Sequence, residues 1–164
     1  MFEANDVLEG QTDEARAYMA TVEIVRQDLE ERLERSVLLG AWVDGRLAGV
    51  VNYVNGPADP YAEFDGENDA GVRGLAVGLG WQRRGVGRSL VTHCIELART
   101  DAKARLVLHT TPWMHAAQRL YPRLGFRRAP EIDFSPAPGI PLIGYTLDLR
   151  GDETERTQSR HRRG

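Results

Sequence analysis

Residues Arg73 to Thr100 constrain this chain more than any other stretch. The apolar run Leu75, Ala76, Val77 leads into Gln82, Arg83, Arg84, Gly85, Val86, Gly87, Arg88, and an apolar stripe at helical spacing, Val86, Leu90, Cys94, Leu97, leads out. That order predicts a strand, a glycine turn and an amphipathic helix. Two glycines separated by one residue remove the Cβ atoms that would hold a ligand off the backbone, and a helix start leaves its first N–H groups unpaired. A turn so built suits a phosphate group.

Several chemistries use such turns. A dinucleotide fingerprint would put a third glycine at position 90, which is Leu90, and a Walker loop would continue Gly, Lys, Ser or Thr, where this chain has Arg88 after Gly87. The surroundings must decide. Upstream, Ala15, Tyr18, Val22, Val25, Leu29 and Leu33 recur at helical spacing with charged residues between them, predicting one long helix or two short ones over residues 12–35. Ser36 to Val43 and Arg46 to Val54 are β-rich runs joined by Asp44-Gly45, the pair a two-residue hairpin prefers. Residues 55–69 then read as a loop rich in Gly, Pro and acid, with Asp59, Glu63, Asp65, Glu67 and Asp69. It is either a solvated face or an attractor for a cationic substrate.

Downstream, Arg105 to Thr110 predicts a strand. Thr111 predicts a helix cap with Pro112 in the first turn, and Met114, Ala117, Leu120, Tyr121 and Leu124 give a buried face that Gly125 ends. Pro122 predicts a kink or an early stop. Phe126 to Arg128 reads as a strand, Pro130 to Pro141 as a proline-broken excursion, and Leu142 to Leu149 as a closing strand. Together these elements predict a mixed α/β sheet.

Composition bounds the rest. A chain of 164 residues carries one core more readily than two, so residues 1–149 are expected to form one domain. Residues 150–164 lack apolar periodicity and read as a flexible polar tail; the tail carries +2 of a −3 total, leaving −5 on the folded part. That balance argues against nucleic-acid binding through phosphates. No run approaches the roughly 20 apolar residues of a membrane span, and the start carries acids, not a signal-peptide pattern, so a soluble cytoplasmic protein is expected. Cys94 reads as a small core residue, and no His, Cys and Asp group has metal-ligand spacing, so no metal is expected.

The turn resembles the Gln/Arg-x-x-Gly-x-Gly/Ala signature of the GNAT superfamily of N-acetyltransferases. Arg73, Gly74, Leu75, Ala76, Val77 resembles the strand before that signature. Ala116, Ala117, Gln118, Arg119, Leu120, Tyr121 with Leu124, Gly125, Phe126 resembles the later helix and strand, in order and spacing. The likeness covers roughly residues 36 to 149.

What the resemblance implies is concrete. The fold is a mixed, mainly antiparallel sheet flanked by helices, opening beside the signature strand. Acetyl-CoA enters the opening as co-substrate, its arm along Leu75, Ala76 and Val77. Its pyrophosphate rests on the amides from Arg83 through Gly85, Val86 and Gly87 to Arg88, assisted by Arg83, Arg84 and Arg88. A backbone N–H near Val77 polarises the thioester carbonyl. Tyr121, on residues alone a buried aromatic on a helix face, matches the family's general acid. The implied activity is direct acetyl transfer to a small-molecule or peptide amine, for which the acidic loop hints at a cationic acceptor.

The general base is open. Family members often carry an acid on the signature strand, where this chain has Gly71 and Gly74; Glu63, Glu67 and Asp69 just upstream and His109 on the neighbouring strand are the candidates. Family members also open with a strand, for which only Val7 and Leu8 are available here. A reduced or absent first strand leaves an edge that a second subunit of a homodimer could cover. A non-catalytic acyl-CoA-binding module and a plain nucleotide-binding domain are the competing readings.

Overall fold

The structure is a computed structural model, and it describes residues 36–150. The helices expected over 12–35, the first strand and the tail beyond Arg150 lie outside the described residues. The described part contains β1 (Val37–Val43), β2 (Arg46–Val54), β3 (Asp69–Val77), α1 (Val86–Thr100), β4 (Arg105–Thr110), α2 (His115–Arg123), β5 (Arg127–Arg128), β6 (Phe134–Ala137) and β7 (Ile140–Asp148). The sheet has seven strands in the order β1-β2-β3-β4-β7-β5, with β6 also on β7. Every pairing is antiparallel except β3 with β4. The expected mixed, mainly antiparallel α/β sheet is the observed one.

Local chemistry accounts for most of these elements. Asp44 and Gly45 both take positive φ, 49° and 74°, the geometry that lets β1 turn directly into β2. α1 lays Val86, Leu90, Val91, Cys94, Ile95 and Ala98 against the sheet. Cys94 is fully buried, and burial pushes its thiol up to about 12, which makes it an inert core residue. Close approach of α1 to β2 depends on Gly49, where a Cβ would stand 2.8 Å from the Ala76 carbonyl oxygen and 3.0 Å from Val86 Cγ1. Gly49→Ala is therefore expected to lower stability by about 1–3 kcal/mol, read as a urea midpoint shift at constant slope.

Several boundaries differ from the sequence reading. The helix expected from Thr111 and Pro112 starts at His115, capped by Met114 without a side-chain bond. β4 carries Thr111 into the interior at 0% exposure, so its hydroxyl cannot reach the helix end; Gln118 Nε2 instead donates to the carbonyls of Thr111 (3.2 Å) and Pro112 (2.7 Å), closing a turn. Met114 is consequently exposed, not part of the buried face. Pro122 lies inside α2, which continues to Arg123 and ends before Gly125 at φ 91°, the stop expected of that glycine. The proline-broken excursion contains β6, which Gly139 (φ 77°) turns back into β7.

Candidate functional site

The sheet opens along one seam. β3 and β4 are paired only from Asp69↔Arg105 to Val72↔Leu108. Beyond that point β3 is held by β2 on one side, and β4 by β7 on the other, so the facing edges of Arg73–Val77 and His109–Thr110 share no ladder. The cause is local: Gly74 sits at φ 60°, and the β2–β3 register shifts between Val50 and Asn52, a bulge that bends β3 away. An open strand edge of this kind can pair with an extended ligand. Leu75, Ala76 and Val77 lie along it.

The seam leads to the glycine turn. Arg83 (φ 59°) and Gly85 (φ 83°) take left-handed conformations, and Gly85 caps α1 with no side-chain bond. The first helical bond runs from Ser89 N–H to the Gly85 carbonyl, so the amides of Val86, Gly87 and Arg88 precede the ladder and sit at the positive end of the helix. At Gly87 a Cβ would lie 3.6 Å from Val77 and 3.7 Å from Leu120, in ordinary contact with both. Arg83, Arg84 and Arg88 are exposed around the turn, Arg84 lying 5.2 Å over the Trp81 ring. An anionic group attached to an extended arm fits these residues.

The two faces of the sheet differ at the seam. A Cβ at Gly49 would point at Val86 and Leu90, so alternation puts Val51, Tyr53, Val72 and Leu108 on the α1 face. Tyr121 is on that face too, 4% exposed, its ring 5.6 Å from Tyr145, which stands opposite Leu108. The other face carries Asn52, Arg73 and His109, with Glu63 reaching in from the loop. Asp69 stands apart: it is at the closed end of β3, bonded through Oδ2 to Arg105 Nη2 at 2.6 Å.

Glu63 and His109 meet. Glu63 Oε2 lies 3.0 Å from His109 Nδ1, Glu63 Oε1 lies 2.6 Å from Arg73 Nη1, and His109 Nε2 donates to the Ile132 carbonyl at 2.9 Å. A carbonyl only accepts, so Nε2 carries hydrogen, and one further proton fits between Nδ1 and Oε2. The His109 side chain is 2% exposed and touches Phe134 edge-on at 5.0 Å between ring centres. Two of the loop's acids, Glu63 and Asp69, are thus spent on internal ion pairs, which lessens the loop's pull on a cation. Arg73, Asn52 and the Ile132 carbonyl were invisible as site groups in the sequence; the one available signal was an amide, Asn52, interrupting the run Val50, Val51, Tyr53, Val54.

Residues 5–126 match the model of the acetyltransferase (GNAT) family. No curated protein sequence matches the chain. Among solved structures, a putative acetyltransferase of the GNAT family from Desulfovibrio desulfuricans is similar with a TM-score of 0.63 and 21% identity, over 79% of this chain and 81% of that one. A ribosomal-protein-alanine N-acetyltransferase from Brucella melitensis has a TM-score of 0.58 and 23% identity, over 77% and 78%. A Bacillus subtilis acetyltransferase in complex with CoA has a TM-score of 0.58 and 24% identity, over 75% and 83%. At these identities the likeness is one of fold.

Proposed function

The chain belongs to the GNAT family of acetyltransferases, and from that premise we propose that it carries the acetyl group of acetyl-CoA directly to a primary amine of a small molecule or peptide. One observation carries the reading: the open edge of β3 ends at an anion-suited helix start. Acetyl-CoA supplies an activated carbonyl and a thiolate leaving group. The amides of Gly85 to Arg88 bind its pyrophosphate, with Arg83, Arg84 and Arg88 adding charge, and the backbone of Leu75, Ala76 and Val77 pairs with its arm. A main-chain N–H near Val77 polarises the carbonyl.

The two faces of the seam divide the proton work. Tyr121, on the α1 face, supplies the proton that a departing thiolate needs. On the opposite face the Glu63–His109 pair is the candidate to take, through a water, the proton that the amine loses. Solvent resets both groups. Asp69, committed to Arg105 at the closed end of the strand, is the weakest of the base candidates.

The internal bonds already made by Glu63, His109 and Asp69 favour a second reading, a non-catalytic acyl-CoA-binding module. Acetyl-CoA is expected to stabilise the protein under either reading, by about 2.7 kcal/mol at a hundredfold excess over Kd. CoA release separates them. A panel of amino acids, polyamines and peptides with an N-terminal alanine, the last suggested by the alanine acetyltransferase of similar fold, should yield free thiol with at least one acceptor. Binding without thiol release on any acceptor would favour the module.

A further inference from the structure

Asn52 is the one polar residue in the run Leu47–Val54 of β2, 7% exposed. No hydrogen bond among the described residues accounts for its carboxamide. The sealed, unpaired side-chain polar atoms among these residues are Thr110 Oγ1 and Thr111 Oγ1, so the Asn52 carboxamide, which is not one of them, opens on accessible space. An amide left without a protein partner in that setting is costly unless water or a ligand satisfies it.

Its position gives the ligand. Asn52 is the β2 partner of Arg73, at the shift of register, and its Nδ2 lies 3.6 Å from where a Cβ would stand on Gly74. It therefore stands one strand away from the point where β3 leaves β4, beside the first β3 residue past the shared ladder, on the face of Glu63, Arg73 and His109. Resting on the transfer reaction above, we propose that Asn52 Oδ1 accepts one N–H of the acceptor amine and sets a preference for primary over secondary amines.

The proton count supplies the selectivity. A neutral primary amine has two N–H bonds and a lone pair. As the N–C bond forms and the C–S bond breaks, one hydrogen leaves to the base on the Glu63 side, and the other stays on nitrogen, bonded to Asn52. A secondary amine has a single N–H, which cannot serve the base and Asn52 together. Side-chain oxygen is the feature required, so Asp can replace Asn and Leu cannot.

The test uses the full chain, acetyl-CoA and the panel's best primary amine beside its N-methyl derivative. Asn52→Leu should cut kcat/KM for the primary amine by roughly 10-fold or more, the scale expected when reactant positioning is lost, and shrink the primary-to-secondary ratio. Acetyl-CoA should stabilise this variant as it does the parent. Asn52→Asp, which keeps an acceptor oxygen, should hold both the rate and the ratio near the parent's. Equal losses on both amines, or loss of the ratio in Asn52→Asp as well, would overturn the assignment. A parent enzyme that releases no CoA with any amine would sink the transfer reading itself, and this inference with it.

Discussion

Gly87→Glu should abolish stabilisation by acetyl-CoA, and with it acetyl transfer, in a protein that still folds. The added Cβ meets only ordinary contacts, 3.6 Å to Val77 and 3.7 Å to Leu120, and the residue lies in the first turn of α1, where a carboxylate favours the helix. The damage falls on the ligand. A fixed negative charge about 4 Å from a phosphate oxygen costs about 4 kcal/mol at an effective dielectric near 20, close to 10³ in affinity. A ligand present at about a hundred times the parent's Kd would then sit at about a tenth of the variant's, and its stabilisation would vanish. Thermal melting with and without acetyl-CoA reads this directly. A variant that melts like the parent and still gains stability from acetyl-CoA would place the pyrophosphate somewhere other than this turn.

Tyr121→Phe should lower kcat by roughly 10²-fold or more, the contribution of a positioned general acid, while stabilisation by acetyl-CoA survives. The ring is 4% exposed and packs against Phe126 and Tyr145 at 5.9 and 5.6 Å, so Phe keeps its aromatic contacts and removes only the hydroxyl. If the hydroxyl is only a core residue's polar handle, stability changes and turnover does not. An unchanged kcat on a good acceptor would therefore remove Tyr121 from the acid role. The melting temperature, measured on the same samples, separates a chemical loss from a folding one.

The strand, turn and helix of the candidate donor site were legible because they are contiguous in the chain. Leu75 to Val77, the glycines at 85 and 87 and the helix stripe from Val86 are one local unit whose conformation follows from alternation, φ > 0 and helix periodicity. The hairpin at Asp44-Gly45 was legible for the same reason. The start of α2 was not, because a local rule met a tertiary one. Thr111 has the chemistry of a cap, but β4 carries it into the core, and a fully buried hydroxyl cannot turn back to the helix end.

By itself, then, the sequence determined the strand, the glycine turn and the helix start on which the proposed donor site rests, because these need only neighbours along the chain. The opposite face was decided by tertiary structure alone. Asn52 comes from β2, Glu63 from a loop, Arg73 from β3 and His109 from β4; Asn52 stands opposite Arg73 across the β2–β3 pairing, and Glu63 bonds both Arg73 and His109. Register is a property of pairs of strands. A one-residue slip sends every following side chain to the other face, so no single segment encodes which polar groups will share a face.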